Sequence, residues 1–208
     1  MRKLAVMAFM SLDGVVQGPG GPDEDRDGGF EHGGWAVPHI DRQLIEGSGE
    51  LVEWAGALLP GRRTYEDFAA TWPLADAGDP IGSKLNSMPK YVASRTLDTV
   101  KWTNSTLLTG DVAEAVAELK RGEGGEIQVH GSGGLVQTLL AHDLVDEFHL
   151  LVFPVLVGSG KRLFATGTVP AGLRLTRGTT SNTGVVVSTY ERAGEVTYGA
   201  MGPETGNW

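Results

Sequence analysis

Cysteine is absent from this chain of 208 residues, which excludes disulfide bonds, thiol catalysis and cysteine-ligated metal sites. Long apolar stretches are absent as well. No window approaches the ~18 consecutive apolar residues of a transmembrane helix, so we expect no membrane partner. The short apolar run after Arg2 and Lys3 ends in the tetrapeptide SLDG at 11–14 rather than in a small-residue cleavage site. We therefore predict no signal peptide and a cytoplasmic location.

Positive charge is scarce in the chain. It has 17 lysine and arginine residues against 26 aspartate and glutamate residues, a formal net charge of −9 at pH 7. An acidic chain is a poor partner for the polyanionic backbone of nucleic acids, so we expect no nucleic-acid partner. Several cations nevertheless stand at predicted element ends, among them Arg62, Arg63, Lys90 and Arg95. They could gather around a small anion, or they could be the solvent-exposed charges that are common at such ends.

The sequence also lacks the common motifs of several enzyme classes. Its five histidines show no HExxH or paired spacing and no GxSxG is present, so we predict neither a metal site nor a hydrolase triad. The glycine cluster at 131–134 is not a Rossmann GxGxxG, because Val136 occupies the position of the third glycine. The segment 155–162 is not a P-loop, because Val155 and Arg162 replace its first glycine and its hydroxyl residue.

Hydrophobic periodicity predicts one α/β domain at 1–193, followed by a polar tail at 194–208. Strands alternate with helices until a C-terminal antiparallel hairpin, which indicates a mostly parallel sheet with an antiparallel edge. The glycine-rich segment 15–38 has the length of a functional lid. Predicted strands lie at 3–10, 57–60, 90–93, 105–109, 127–129, 148–157, 173–180 and 185–191, and predicted helices at 39–55, from 62 up to 72, at 79–87, at 111–121 and after 134.

Three predicted strand ends share one construction, a short turn rich in glycine, hydroxyl groups or arginine. They are GRRT at 61–64, SRT at 94–96 and the glycine cluster at 131–134. Helix N-termini present unpaired N–H groups and arginine binds phosphate oxygens in pairs, so each turn is suited to a phosphate. The carboxyl ends of parallel strands face one crevice. A dinucleotide with a pyrophosphate and a 2′-phosphate would use all three turns, although any one of them could be a turn and nothing more.

Four longer segments carry a more specific signal. They are SLDG at 11–14, LLPGRRTYEDF at 58–68, KYVASRTL at 90–97 and HGSGGLVQTLLAHDLVDEFHLLVFPVLVGSGKRLF at 130–164. Together, and in this order, they resemble the dihydrofolate reductase-like superfamily, in particular the reductase domain of the bifunctional riboflavin-biosynthesis protein RibD. The resemblance covers most of residues 3–191. It implies a three-layer α/β/α fold around a central mixed, mostly parallel sheet, NADPH as the cofactor, and a homodimer.

The resemblance also implies roles for individual residues at the cofactor. The adenosine 2′-phosphate side of NADPH would contact Arg62, Arg63, Thr64, Ser94 and Arg95. The pyrophosphate and the neighbouring ribose would contact Gly131, Ser132, Gly133, Gly134 and Leu135. Gly61, at the start of the first of these turns, would belong to the same cofactor site.

On the substrate side, the resemblance implies that Asp13 and Gly14 end the first strand where nicotinamide and substrate meet. Asp13 would be a catalytic proton-relay residue or a substrate contact, or else a turn carboxylate bonded to its own backbone. Asp41 stands near the helix position of the pterin-binding carboxylate of true dihydrofolate reductases, and is also an ordinary acid at a helix start. Lys161 and Arg162 would lie near a bound sugar phosphate, or be surface cations.

Together these features predict a reductase that moves a hydride from NADPH to a C=N or C=O bond of a small polar substrate. The nearest named activity is that of 5-amino-6-(5-phosphoribosylamino)uracil reductase. The lid sequence at 15–38 departs from both RibD and dihydrofolate reductase, which leaves the substrate open. A true dihydrofolate reductase and a non-catalytic nucleotide-binding module of the same fold are the alternatives.

Overall fold

The computed structural model describes residues 1–164, 166 and 168–202. These residues form eight strands and five α-helices, joined in places by short 3-10 turns. In chain order the elements are β1 (Leu4–Ser11), α1 (Arg42–Glu53), β2 (Ala55–Leu58), α2 (Arg62–Thr71), α3 (Pro80–Ser87), β3 (Lys90–Ala93), β4 (Ser105–Leu108), α4 (Val112–Arg121), β5 (Glu126–His130), α5 (Gly133–Ala141), β6 (Glu147–Phe153), β7 (Leu173–Thr180) and β8 (Val186–Arg192).

All eight strands belong to one sheet in the order β4-β3-β2-β5-β1-β6-β8-β7. The first six of these run parallel to their neighbours, and β8 pairs antiparallel with both β6 and β7. This confirms the predicted mixed, mostly parallel sheet with a C-terminal antiparallel hairpin. β5 is the fifth of the six parallel strands in chain order, yet it inserts between β1 and β2. Its carboxyl end therefore lies beside the carboxyl ends of strands formed much earlier in the chain.

The helices cover both faces of the sheet, as predicted for a three-layer α/β/α fold. In β1, Val6 packs into a core with α4 and α5, whereas the next residue, Met7, packs into a core with α1, α2 and α3. β6 repeats the alternation, with Leu150 on the α4–α5 face and Leu151 on the other. Successive side chains of a strand point to opposite faces, so two buried layers require strands with almost no polar positions.

Helix starts follow the capping residues in the sequence. Asp111 accepts a hydrogen bond from the backbone N–H of Glu114 at 2.9 Å, which is the first half of a capping box. Asp79 caps α3 through the N–H of Ile81 at 2.9 Å. α2 ends at Thr71, where the Trp72-Pro73 pair turns the chain into a 3-10 turn.

Two predicted strands differ from the observed ones by two residues or more at an end, and backbone constraints explain the larger differences. β6 ends at Phe153 rather than 157, because Pro154 has no N–H to donate to the sheet. β2 begins at Ala55 rather than 57, through a bulge against β5. The two backbones approach closely at this bulge: a Cβ on Gly56 would lie 2.7 Å from the backbone nitrogen of Gly125. The sequence pattern does not reveal such a bulge.

The C-terminal part of the chain adds the antiparallel edge. β7 is the outermost strand, and all eight of its residues are exposed. The last strand ends at Arg192, and residues 203–208 of the predicted tail lie outside the described residues. None of the helices found in the described part of the chain has the length and hydrophobicity needed to cross a membrane.

Lys90, one of the cations that the sequence placed at an element end, is completely buried. Its ammonium group donates to the backbone carbonyls of Asn86, Met88 and Thr103 at 2.8, 2.9 and 3.0 Å. It also lies 4.3 Å from the centre of the Trp102 ring. Burial lowers the pKa of Lys90 to about 8. Lys90 is therefore an internal clamp that ties α3 to the β3–β4 connection, and a ligand in the crevice cannot use it.

We predict that Lys90→Ala lowers the free energy of unfolding by about 2–4 kcal/mol. The substitution leaves a cavity and strips three backbone carbonyls of their donor. Urea unfolding at pH 7 measures the change. Lys101→Ala is the matched control, because Lys101 is exposed and near in sequence, and we expect a change within about 0.5 kcal/mol. Equal stability of the two variants would contradict the clamp.

Candidate functional site

A cavity of about 1020 Å³ opens at the carboxyl ends of β1, β2, β3 and β5. This is the upper end of the ~300–1,000 Å³ range of small-molecule sites, so the cavity has room for more than one group. All three predicted phosphate turns lie on its wall. The residues predicted for the cofactor that line it are Gly61, Arg62, Arg63, Thr64, Ser94, Arg95, Gly131, Ser132, Gly133, Gly134 and Leu135. The geometry brings the predicted set together, while its binding role stays a prediction.

The hydroxyl of Ser132 joins two of these turns. It accepts a hydrogen bond from the backbone N–H of Gly61 at 2.9 Å and lies 2.7 Å from the hydroxyl of Thr64. Ser132 has a left-handed backbone conformation (φ 60°, ψ 54°), which is uncommon for a residue other than glycine. A Cβ on Gly61 would meet the Ser132 hydroxyl oxygen at 3.0 Å, so glycine permits this close approach. The β2–α2 and β5–α5 turns therefore form one connected floor.

The start of α5 has the properties of a phosphate site. The first intrahelical bond of α5 is donated by Val136 to the carbonyl of Ser132, so the earlier N–H groups have no intrahelical acceptor. A Cβ on Gly133 or on Gly134 would meet no described atom within 4 Å, which leaves the backbone open to a ligand. A phosphate could approach these N–H groups directly, and the positive end of the helix dipole would favour it.

The segment 15–38 forms part of the cavity wall and is organised by Gln17. The Gln17 amide group donates to the carbonyls of Asp25 and Asp27 at 3.1 and 3.0 Å, and its side-chain oxygen accepts from the backbone N–H of Lys161 at 3.0 Å. The Gln17 backbone carbonyl accepts from the indole of Trp35 at 2.8 Å. These bonds hold the segment, described below as the lid, against the 160–162 turn.

An ionic cluster closes the lid over the cavity. Asp25 lies 2.8 Å from the guanidinium of Arg63 and 2.6 Å from the ammonium of Lys161. Asp27 contacts the same two cations, with 3.0 Å to Lys161. The hydrogen bonds from Arg63 and Lys161 lower the pKa of Asp27 to about 2. Two cations predicted to bind anionic ligands are thus held by two carboxylates of the lid.

The other two arginines of the site are less engaged. Arg62 lies 3.9 Å from Glu66, at the limit of an ion pair, and both side chains are nearly half exposed. Among the described residues, Arg95 makes no ion pair, and it is exposed on the cavity rim. Ser94 accepts hydrogen bonds from the N–H groups of Thr96 and Leu97 and so shapes the turn at 94–96. Arg62 and Arg95 can therefore reach a ligand without breaking a strong pair.

Asp13, predicted as the catalytic residue, does not belong to the cavity wall. Its carboxylate accepts hydrogen bonds from the hydroxyl of Ser11 at 2.6 Å and from the N–H groups of Val157 and Gly158 at 3.1 and 2.8 Å. The hydrogen bond from Ser11, with those two backbone donors, lowers the pKa of Asp13 well below its usual value. Asp13 anchors the turn after β6, as a turn carboxylate would, and its catalytic role stays a prediction.

Three of the four residues predicted for the substrate are also placed elsewhere. Gly14 and Asp41 are not among the described residues of the wall, and Arg162 lies 3.5 Å from Asp13 and donates to the carbonyl of Gly158. Asp41 caps α1 by accepting from the N–H of Leu44 at 2.7 Å, the ordinary role of an acid at a helix start. Of the four residues predicted for the substrate, Lys161 alone is among the described residues that line the cavity.

His130, the residue before the glycine cluster, lines the cavity and is hydrogen-bonded. Its Nε2 lies 3.0 Å from the side-chain oxygen of Gln128, whose amide nitrogen donates to Leu51 and Glu126. The amide oxygen can only accept, so Nε2 of His130 carries the proton. Burial, with a smaller repulsion from His149, lowers the pKa of His130 to about 4. The imidazole is therefore neutral at pH 7, with Nδ1 as an acceptor.

Aromatic and aliphatic side chains line the remainder of the cavity. The ring of Phe68 meets Trp72 and His130 edge-on, with centroid distances of 5.9 and 6.0 Å. Trp72 lies on the wall and also packs against the core formed with α1, α2 and α3. Sequence reasoning missed this surface, because an apolar residue on a helix has the same pattern whether it faces a core or a cavity.

A cluster with metal-binding groups lies outside this cavity. Glu126, Glu147 and His149 bring three potential ligand atoms within 4.8 Å of one another. Histidine spacing could not reveal this group, because its members come from two strands, β5 and β6. Its groups already have protein partners: Lys3 bonds Glu147, and His149 lies 3.2 Å from Glu126. The cluster is thus explained as a polar network within the sheet.

Known proteins are similar to this chain over nearly its whole length. The RibD C-terminal domain family matches residues 2–187. The uncharacterised protein YyaP of Bacillus subtilis strain 168 is 26% identical over 192 residues, which are 91% of this chain and 94% of that protein.

Solved structures share the fold. A protein from Shewanella sp. PV-4, whose name connects it with riboflavin biosynthesis, matches with a TM-score of 0.64 and 22% identity over 92% of this chain and 99% of its own. A diaminohydroxyphosphoribosylaminopyrimidine deaminase/5-amino-6-(5-phosphoribosylamino)uracil reductase from Thermotoga maritima matches with a TM-score of 0.60 and 13% identity over 92% of this chain and 57% of its own. Together with the sheet order, these structures confirm the predicted fold. The family match shows that the chain belongs to the RibD C-terminal domain family, a family of reductase domains.

Proposed function

We propose that this protein is an NADPH-dependent reductase that transfers a hydride to a C=N or C=O bond of a small molecule. The observation that carries the proposal is that the three phosphate turns predicted from sequence line one cavity, two of them joined by Ser132. The nearest named activity is that of 5-amino-6-(5-phosphoribosylamino)uracil reductase, the reductase named in the Thermotoga protein. Family membership supports a reductase, and the geometry supports a cofactor with several phosphates.

NADPH matches the distribution of donors and charge along the wall. Its pyrophosphate would lie on the open backbone of Gly133 and Gly134, where N–H groups can donate. Its 2′-phosphate is dianionic, and the arginines at 62, 63 and 95 offer forked donors to it. NADH lacks this phosphate and would leave the arginines unused.

When bound, NADPH supplies a hydride from C4 of its nicotinamide, and a proton from solvent or a protein donor completes the reduction. The chain's part is to orient the substrate and exclude water. The lid covers the cavity, and the aromatic residues Phe68 and Trp72 give a planar substrate a surface to pack against. His130, neutral and fixed by Gln128, can accept a hydrogen bond at Nδ1.

Of the alternatives, a true dihydrofolate reductase is the less favoured. Its pterin-binding carboxylate would correspond to Asp41, which caps α1 and is not part of the described wall. Purified protein that oxidises NADPH with dihydrofolate would restore this alternative. A non-catalytic nucleotide-binding module would bind NADPH and reduce no carbonyl or imine compound, so turnover distinguishes it from a reductase.

We also propose that the protein is a homodimer that pairs through the β7–β8 hairpin. β7 is an exposed edge strand, and its Leu173 and Leu175 side chains expose 42% and 55% of their surface. Exposed edges with apolar side chains are normally covered by another strand or by a partner. A second copy of the chain is the partner that the family resemblance implies.

We predict that NADPH in hundredfold excess over its Kd stabilises the protein by about 2.7 kcal/mol, with a much smaller effect of NADH at the same concentration. In the double variant Arg62→Ala/Arg63→Ala, the ratio of NADPH to NADH affinity should fall at least roughly tenfold, because the 2′-phosphate loses its forked donors. Thermal-shift titration measures both affinities. Arg42→Ala is the control, because Arg42 is an exposed arginine of α1 outside the wall. If NADPH does not raise the Tm of the protein while other nucleotides do, the reductase proposal is wrong.

We expect Asp27→Asn to tighten NADPH binding about twofold to fivefold, because an exposed ion pair that competes for Arg63 contributes up to ~1 kcal/mol. NADH binding should change less, since it has no 2′-phosphate. The matched control is Asp23→Asn, which changes the net charge equally in the same lid but pairs with Arg26 and lies outside the described wall. Calorimetric titration gives the affinities. Weaker NADPH binding in Asp27→Asn would show that the carboxylate positions Arg63 instead of competing for it.

For the dimer, light scattering during size-exclusion chromatography should give twice the chain mass of 22.0 kDa. Leu175→Lys should yield a monomer, because it places a charge in the apolar contact of β7. Leu156→Lys, which alters a leucine that is 76% exposed near the end of β6, should remain dimeric. If Leu175→Lys remains a dimer and Leu156→Lys is a monomer, the interface lies near the end of β6 and not at the hairpin.

A further inference from the structure

Beyond the three turns and the lid, the charged side chains on the described part of the cavity wall are Asp67, Asp111 and Lys161. The other side chains there are mostly apolar, and most of these come from β1, α1, α2 and α3, on the sheet face opposite α4 and α5. We name this region the apolar compartment. Its main members are Phe9, Ile45, Val52, Phe68, Trp72 and Ile81.

Helix α2 separates the apolar compartment from the arginine turn. Its first residues, Arg62 and Arg63, stand at the cofactor floor, and Trp72 follows its last residue. The helix has ten residues, so its two ends lie about 15 Å apart at a rise of 1.5 Å per residue. One helix thus presents two chemically different surfaces to one cavity, and the two ends suit different ligands.

The cations on the described part of the wall are Arg62, Arg63, Arg95 and Lys161. The three arginines belong to the turns that the proposed function gives to NADPH. Lys161 remains, and the carboxylates of Asp25 and Asp27 both hold it. Within the described residues, no cation is left to neutralise a phosphate in the apolar compartment.

We infer that the substrate of this reductase is an uncharged, planar and largely apolar carbonyl or imine compound, and not a sugar phosphate. This inference rests on the proposed function, because it assigns the arginines to the cofactor. An anion in the apolar compartment would lose its hydration without gaining a cation, which is strongly unfavourable. A flat neutral ring would instead pack against Phe68 and Trp72 and exclude water from the hydride-transfer geometry. The sequence predicted a polar substrate, and the composition of the wall revises that expectation.

The test uses two probes that share one ring system and differ in charge, 1,4-naphthoquinone and 1,4-naphthoquinone-2-sulfonate, with ribose 5-phosphate as a third probe. Wild-type protein is saturated with NADP⁺, which carries the phosphates of NADPH but cannot reduce the probes. The chain has no cysteine, so the quinones find no thiol to modify. Thermal shift and calorimetry then report binding to the loaded protein. We expect the neutral quinone to bind at least tenfold more tightly than the sulfonate, and ribose 5-phosphate to give no shift.

A charged variant places the binding in the compartment. Ile45 is 51% exposed and lies on the wall, so Ile45→Lys can fold while adding a cation there. It should bring the affinities of the two quinones within about threefold of each other, since a nearby cation offsets the desolvation of the sulfonate. Gln43→Lys adds the same charge to an exposed position of α1 outside the described wall, and should keep the wild-type ratio.

The outcomes separate this inference from the proposed function. If neither NADPH nor NADP⁺ stabilises the wild-type protein, the proposed function is wrong and this inference falls with it. If the cofactor binds but the sulfonate or ribose 5-phosphate binds as tightly as the neutral quinone, only this inference is overturned. It is overturned equally if the neutral quinone does not bind up to its solubility limit, or if Gln43→Lys changes the ratio as much as Ile45→Lys.

Discussion

The hydroxyl of Ser132 is the contact on which the geometry of the site depends. It bonds the N–H of Gly61 and the hydroxyl of Thr64, residues 71 and 68 positions away in sequence. This contact is possible only because β5 inserts between β1 and β2 and brings the two turns side by side. Strand order therefore determines that an arginine turn and a glycine turn form one floor. A sheet with the same strands in chain order would separate them.

The charges around that floor are balanced in a particular way. The chain is acidic overall, yet four cations line the cavity among the residues that the structure describes, and two of them are held by carboxylates of the lid. Asp25 and Asp27 take positions at Arg63 and Lys161 that anionic oxygens of a ligand would otherwise occupy. A ligand phosphate must displace them or share the cations with them. The lid and the proposed cofactor are thus coupled through one set of donors.

The elements and the cofactor turns could be predicted because their signals are local. Glycine at a strand end, a capping aspartate and a proline after a helix act on their own neighbours, and 90–93 and 173–180 agree with the observed strands. The three turns share a side of the sheet by a general rule for parallel strands. Most of the cofactor-side grouping follows from these two facts.

The sequence pattern does not show how a residue is placed when its partners are distant in sequence. Asp13 has the sequence context of an active-site acid, but its partners at 157 and 158 arrive from the end of β6. Lys90 looks like a surface cation until three carbonyls from α3 and the β3–β4 connection surround it. The aromatic wall was missed because periodicity cannot tell a core face from a cavity face. Each case requires tertiary contacts that the sequence pattern does not contain.

The central claim is that the joined turns hold the phosphates of NADPH. A crystal structure of the protein with NADPH tests it most directly. The account predicts pyrophosphate oxygens about 3 Å from the backbone nitrogens of Gly133 and Gly134, and a 2′-phosphate at Arg62 and Arg63 with Asp27 displaced from Arg63. A nucleotide bound elsewhere, or one bound in the cavity with its phosphates away from both turns and the Asp27–Arg63 pair intact, would contradict the account.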